Sequence, residues 1–193
     1  MKLVKAVLVV GFMAVGSAMA AGPYASLTYD EKVKQNASQT NYVYGLNVGQ
    51  KFDNGFTVEA RMEDERVEST SQKQESLAQV KVSYDISTGT VFTPYVAGAV
   101  GHKNKSTIDF NIWVAEAGVK AKFGDFGVRY GYRRRADWDN SSTNAYNTDE
   151  QTVAFGYNLT KHDNLSVAWK QERRNDSVSS EYNTKGIYYT RTF

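Results

Sequence analysis

Apolar and polar residues alternate along almost the whole chain after residue 21. Since successive side chains of a β-strand point to opposite faces, this period of two predicts strands with one apolar and one polar face. Ten such strands are predicted, with the bounds 23–34, 40–52, 56–67, 76–86, 91–102, 108–123, 126–139, 148–159, 165–174 and 181–193.

The connections between these strands are alternately short and long. The short ones contain Asn54-Gly55, Thr88-Gly89 and Gly124-Asp125, or span 160–164, and glycine supplies the positive φ of a tight turn. The long ones are polar and span 35–39, 68–75, 103–107, 140–147 and 175–180. Short turns at one end and longer loops at the other are typical of outer-membrane barrels. We therefore predict an all-β fold, an up-and-down antiparallel transmembrane β-barrel with ten strands, or eight if one weak hairpin is a loop.

One face of each predicted strand carries charges, and the other carries apolar or aromatic residues. In the third strand, Val58 and Met62 alternate with Glu59 and Glu63. An arginine or lysine in the middle of a bilayer costs about 2–4 kcal/mol, so the charged faces must point into a lumen or into water. A soluble β-sandwich would show the same alternation, and the aromatic residues decide between the two folds.

Aromatic residues gather at the two ends of the predicted strands. The set beside the short turns and the chain end is Phe52, Phe56, Phe123, Phe126 and Phe193. The set toward the long loops is Trp113, Trp138 and Trp169. Two such girdles mark the membrane interfaces of a barrel, whereas a sandwich core has no reason to separate its aromatic residues. We expect a multi-pass barrel in the outer membrane of a Gram-negative-type cell.

The first twenty residues predict export. Lys2 and Lys5 precede an apolar run over 6–15, and small residues end the segment at Ala20. This pattern is typical of a cleaved secretory signal peptide, because the apolar run is too short to span a bilayer as a retained helix. We predict a signal peptide at 1–20, export through the Sec pathway and a barrel domain at 21–193.

Composition narrows the possible functions. Without the signal peptide the chain carries 21 basic and 21 acidic residues, so no overall positive field indicates a nucleic acid as partner. The chain contains no cysteine, which excludes disulfides and thiolate metal sites. No metal-ligand cluster or phosphate-binding loop occurs, and we expect no cofactor. The mean hydropathy of −0.53 fits a barrel, in which only every second strand residue meets lipid.

The end of the chain carries a second indication of compartment. Ile187, Tyr189 and Phe193 occupy alternate positions at the C-terminus. This arrangement resembles the C-terminal strand signal that the barrel-assembly machinery recognises, and the resemblance implies that machinery as a partner. Arg191 departs from the pattern, because such signals usually have an aromatic or apolar residue there.

Three further segments resemble outer-membrane barrels of the porin-like superfamily. Residues 93–101 (TPYVAGAVG) are similar to a strand found across small members of that superfamily. The basic segments 129–135 and 170–174 resemble those of porins specific for acidic oligosaccharides, in which a basic track lines the lumen. Those porins usually have twelve strands and longer chains, so the resemblance assigns no residue roles here.

Charged residues on the polar faces form the candidate site. The predicted basic wall of the lumen is Lys120, Lys122, Arg129, Arg133 and Arg135. The predicted acidic wall is Glu59, Glu63 and Glu65. Further lumen-facing residues are Arg61, Lys81, Glu116, Glu150, Lys170 and Glu172. Opposed walls of charge would set ion preference in a porin, yet the same charges could pair and close the interior.

We therefore expect a narrow porin for small polar or anionic solutes. The alternative is a closed structural or surface-interaction barrel with a salt-bridged interior and no transport. Both interpretations place the barrel among outer-membrane lipids and lipopolysaccharide. An enzyme is not expected, because the two histidines, His102 and His162, fall near opposite ends of the strands and no hydrolase motif surrounds either.

Overall fold

The fold is a closed antiparallel β-barrel of ten strands, as a computed structural model shows for residues 22–35, 39–105, 108–138, 147–174 and 180–193. Each strand pairs with its neighbours in sequence, and β1 pairs with β10 to close the barrel. The strands are β1 (Gly22–Lys34), β2 (Thr40–Lys51), β3 (Phe56–Val67), β4 (Lys73–Asp85), β5 (Phe92–Lys105), β6 (Ile108–Phe123), β7 (Phe126–Asp137), β8 (Thr148–Asn158), β9 (Asp163–Arg174) and β10 (Glu181–Thr192). The predicted ten-stranded up-and-down barrel is confirmed.

Two predicted loops are shorter than expected. Strand β4 begins at Lys73 rather than at residue 76, and β5 continues to Lys105 rather than ending at 102. Both extensions lie at the long-loop end, where the outward positions carry polar residues that give no apolar signal. Ladder hydrogen bonds still extend the strands there, because an unpaired backbone group gains from any partner. The predicted signal peptide at 1–20 lies outside the described residues, as do residues 139–146 and 175–179.

The short turns form as their sequences require. Gly55 and Gly124 have φ values of 89° and 61°, in the region that side chains with a Cβ rarely adopt. The turn before β9 uses side chains instead, because the Thr160 hydroxyl donates to Asp163 Oδ2 at 2.7 Å. No helix long and apolar enough to cross a membrane occurs among the described residues.

The outer face of the barrel is apolar. Leu46, Val82 and Phe155 have exposed fractions of 45%, 44% and 56%. The aromatic residues Phe56, Phe123, Phe126 and Phe193 are exposed at the short-turn end, and Trp138 and Trp169 are exposed farther toward the long loops, whereas Phe52 and Trp113 are half-buried. An exposed apolar surface of this extent fits contact with lipid, since a protein in water keeps such patches small.

Tyrosines on the inner face lie flat against glycines of neighbouring strands. A Cβ on Gly49 would come within 2.6 Å of the Tyr24 ring, and one on Gly118 would come within 2.6 Å of the Tyr95 ring. Glycine is therefore required at these positions for the rings to reach the wall. This packing keeps two large side chains out of the centre of the lumen at the short-turn end.

Candidate functional site: a charged plug beside an open vestibule

The interior of the barrel has two halves of different character. The half next to the short turns contains a cavity of about 640 Å³, here called the vestibule. Its lining includes Lys51, Glu59, Tyr95, Glu116, Lys120, Lys122 and Arg129. The half next to the long loops contains a cavity of only about 50 Å³. Charged side chains fill the space around it, and they are called the plug: Asp30, Lys32, Arg61, Glu63, Glu65, Glu75, Lys103, Arg133, Arg135, Glu150, Lys170, Glu172 and Arg174.

Ion pairs connect opposite sides of the barrel through the plug. Lys32 Nζ lies 3.5 Å from Glu65 Oε2 and 3.5 Å from Glu172 Oε1, and these carboxylates come from β3 and β9. Arg174 continues the chain of contacts, since its Nε lies 2.9 Å from Glu172 and its Nη1 lies 3.8 Å from Glu75. Glu75 is also paired with Lys103 of β5. These contacts tie β1, β3, β4, β5 and β9 together across the interior.

A second group of pairs lies closer to the vestibule. Arg133 donates to Glu150 Oε2 at 2.6 Å, and Lys170 donates to Asp30 Oδ2 at 2.5 Å. Arg61 pairs with Glu63 on the same strand. Each of these six side chains has an exposed fraction of at most 14%. Charges buried to this degree are stable only when they are paired and hydrogen-bonded.

An apolar cluster fills the remaining side of the plug half. It is formed by inward-facing side chains of β4, β5 and β6: Leu77, Ala99, Phe110, Ile112 and Val114. Ile112 is fully buried. Leu77 also lines the small cavity, so apolar side chains as well as charged ones occupy the long-loop half of the interior.

Two cations of the vestibule, Lys120 and Arg129, remain partly exposed. Arg129 pairs with Glu116 and donates from Nε to the Tyr95 hydroxyl at 2.9 Å, and that hydroxyl donates to Glu116 at 2.8 Å. Lys120 donates to both oxygens of Asp85 at 2.6 and 2.8 Å. The Arg129 and Lys120 side chains both have an exposed fraction of 38%. These cations remain accessible to solutes that enter from the short-turn end.

The structure places the sequence-predicted lumen residues in both halves of the interior. Those that line the vestibule without belonging to the plug are Glu59, Lys81, Glu116, Lys120, Lys122 and Arg129. Those in the plug are Arg61, Glu63, Glu65, Arg133, Arg135, Glu150, Lys170 and Glu172. Carboxylates outside the predicted acidic wall lie next to cations of the basic wall, because Glu116 lies between Lys81 and Arg129, and Glu150 lies beside Arg133.

Four plug residues were missed by the sequence reasoning: Asp30, Lys32, Glu75 and Lys103. Asp30 and Lys32 could have been found, because they alternate with the exposed Tyr29 and Val33 on β1. Glu75 and Lys103 fell in segments interpreted as loops. The β6 part of the apolar cluster could have been found by alternation, because Ile112 and Val114 share a strand face with the predicted lumen residue Glu116.

The described residues form no metal centre. No group of three or more His, Cys, Asp or Glu side chains among them is arranged to hold a metal ion. The Nδ1 atom of His102 lies 3.2 Å from Asn111 Oδ1, and the Nδ1 atom of His162 lies 3.1 Å from the Thr192 carbonyl oxygen. Each histidine therefore has a local structural contact.

Comparison with known proteins identifies the fold. No family model and no curated protein matches the chain. An outer membrane channel from Pseudomonas putida F1 is similar in structure, with a TM-score of 0.62 and 9% identity over 92% of this chain and 97% of that one. The beta domain of the Bordetella autotransporter BrkA has a TM-score of 0.51 and 10% identity over 89% of this chain and 99% of that one.

The KdgM porin, solved in complex with disordered oligogalacturonate, is also similar. It has a TM-score of 0.50 and 13% identity over 87% of this chain and 99% of that one. At these identities the likeness concerns the fold alone. The chain has the fold of the porin-like outer-membrane β-barrels, as its sequence pattern predicts.

Proposed function

We propose that this chain is an outer-membrane β-barrel whose outer half is closed by the plug and whose vestibule opens to the periplasm. The short turns of such barrels face the periplasm, which sets this orientation. The observation that carries the proposal is the size of the cavity inside the plug, about 50 Å³. A water molecule needs roughly 10–15 Å³ of such space, so this cavity admits a few waters and no sugar.

The energetics of the plug support a persistently closed interior. Breaking one buried ion pair by removing a partner costs roughly 3–5 kcal/mol, because a charge is left without compensation. A path for a sugar would require several such pairs to separate at once, including Arg133–Glu150 and Lys170–Asp30. The open population would then be very small.

Liposome swelling tests this function directly. Refolded protein is reconstituted with a pentose or hexose as the permeant solute, and an open porin is reconstituted in parallel. Folding is checked by the change in gel mobility on boiling, since closed barrels resist SDS until they are heated. We expect correctly folded protein to give no swelling above protein-free liposomes. Swelling at a rate comparable with the open porin would overturn the proposal.

A narrow porin for small polar or anionic solutes is the second candidate, and the vestibule favours it. Lys120 and Arg129 lie over one ring, Tyr95, at 5.0 and 4.8 Å, and both are partly exposed to the cavity. Two cations so close together attract anions. The similar structures include a channel and a porin. In this candidate the plug opens when cations exchange carboxylate partners, as Lys32 and Arg174 could do at Glu172.

The proposed location in the outer membrane also requires that the chain be exported, assembled by the barrel-assembly machinery and surrounded by lipid. Residues 1–20 would direct the chain through the Sec pathway, and lipopolysaccharide would surround the outer girdle that includes Trp138 and Trp169. The side chains of Ile187, Tyr189 and Phe193 are exposed on the closing strand or just after it, where the barrel-assembly machinery would recognise them. Replacing Phe193 by Ala should lower the yield of assembled barrel in cells, whereas normal assembly would argue against this recognition.

A further inference from the structure

Arg135 occupies an unusual position in the plug. It lies on β7 with an exposed fraction of 6%, and it lines the cavity of about 50 Å³. Its Nε atom is buried without a hydrogen-bond partner. Arg133, a second cation, points into the same cavity from two residues earlier on the strand. A buried guanidinium in this setting is destabilised by desolvation and by its like-charged neighbour.

Arg135 takes no part in the ion pairs of the plug. Each of the plug's six carboxylates is paired: Asp30, Glu63, Glu65, Glu75, Glu150 and Glu172. Six plug cations make these pairs: Lys32, Arg61, Lys103, Arg133, Lys170 and Arg174. Lys105, which is 30% exposed and outside the plug, also lies 3.5 Å from Glu75. Arg135 is the seventh cation, and it joins none of the ion pairs formed among the described residues. Arg135 is therefore the plug cation that has no carboxylate of the described residues at ion-pair distance.

We propose that Arg135 binds a small monovalent anion, chloride in the simplest case, in the cavity at the centre of the plug. A single negative charge matches the one plug guanidinium that has no carboxylate of the described chain at ion-pair distance, whereas a divalent anion would bring more negative charge than that guanidinium can balance. The cavity also limits size, because it holds only a few atoms of the dimensions of a water molecule. The bound anion would be a structural component of the closed barrel, and the proposal does not depend on whether the barrel conducts.

Bromide crystallography on the full wild-type barrel locates the anion. Bromide replaces chloride in the crystallisation medium, and anomalous scattering at the bromine edge identifies it. We expect an anomalous peak within hydrogen-bonding reach of the Arg135 guanidinium. Ordinary water density at that position, without an anomalous peak, would overturn the proposal. This measurement needs no variant and so does not depend on how substitutions fold.

Thermal unfolding measures the same site in solution. Chloride is compared with gluconate, an anion too large for the cavity, at equal ionic strength. Once the chloride concentration exceeds the dissociation constant of the site, Tm should rise by roughly 3–6 °C for each tenfold increase in chloride. Arg135→Gln should abolish the difference between the two anions, while Arg134→Gln, a control on the outer face, should retain it. Equal chloride dependence in wild type and Arg135→Gln would contradict the assignment.

The sign of the effect without chloride provides a further check. Arg135→Gln removes a buried cation that has no ion-pair partner among the described residues, so in gluconate this variant should melt at or above the temperature of the wild type. A structural arginine that needs no anion would behave in the opposite way, because its replacement would lower Tm in both media. A lower Tm for Arg135→Gln in gluconate would therefore count against the anion site.

Discussion

Arg133 and Glu150 lie directly opposite each other in the β7–β8 ladder, and the guanidinium donates to the carboxylate at 2.6 Å inside the plug. The next pair in the same ladder, Arg134 and Asp149, points outward at 3.6 Å. One step along the strands therefore separates a buried ion pair from an exposed one. The difference in exposure is large, because the Arg133 side chain is 13% exposed and the Arg134 side chain is 48% exposed.

This contrast gives a stability prediction. Arg133→Gln leaves Glu150 buried without its main partner, and it should lower the free energy of unfolding by about 3–5 kcal/mol. Arg134→Gln breaks a solvent-exposed pair and should change it by about 0–1 kcal/mol. Urea unfolding of the refolded protein in lipid or detergent measures both values. Similar losses for the two variants would show that the plug is hydrated.

Labelling of single cysteines tests which strand faces meet lipid. The chain has no native cysteine, so each substitution introduces one reactive site. Cysteines at Val58, Val80 and Phe155 should react with lipid-phase probes. Cysteines at Glu59, Lys81 and Thr152, which line the vestibule, should react only with aqueous probes. A reversed pattern would show a register slipped by one residue, since that slip turns every side chain to the other face.

Two threonines on β10 test the boundary between vestibule and plug. Thr190 lines the vestibule, and Thr184 lines the small cavity and is 5% exposed. They share a strand, a face and a residue type, so Thr190→Cys and Thr184→Cys form a matched pair. A charged thiol reagent should modify Thr190→Cys quickly and Thr184→Cys at least tenfold more slowly. Equal rates from either side of the membrane would mean that water passes through the plug.

Arg129 tests the electrostatics of the vestibule. Arg129→Gln should cost about 1 kcal/mol of stability, because the side chain is partly solvated and Lys81 still lies 3.6 Å from Glu116. In the narrow-porin candidate, Arg129→Glu should shift ion selectivity toward cations. Reversal potentials across a salt gradient measure that shift. An unchanged reversal potential in a conducting protein would exclude Arg129 from the path.

The strands could be predicted from the sequence because two independent signals coincide. Alternation defines the strand interiors, and turn sequences such as Asn54-Gly55 and Gly124-Asp125 define their ends at one side. The opposite ends were harder, since residues 73–75 are polar on both faces and resemble a loop. Above the lipid, both the lumen and the surroundings are polar, so the alternation disappears although the ladder continues.

The side-chain contacts of the plug could not be predicted from the sequence as the strands could. Its pairs depend on the register between strands distant in sequence, as for Lys32 with Glu65 and Glu172. The same set of charged residues on the lumen face could either line an open pore or pair with one another to form a plug. Alternation places Ile112 and Val114 on the lumen face of β6 with Glu116, but it does not show that they pack with Leu77 and Ala99 of other strands in the space that an open pore requires.

Single-channel conductance of the refolded mature barrel in planar bilayers tests the central claim most directly. The closed plug predicts that protein shown to be folded by its heat-dependent gel mobility inserts without producing discrete porin-sized current steps. Any current through the few waters of the small cavity should be far below that of an open porin. Reproducible large steps from the folded protein, in the absence of voltage-induced damage, would contradict the closed barrel and leave the narrow porin as the function.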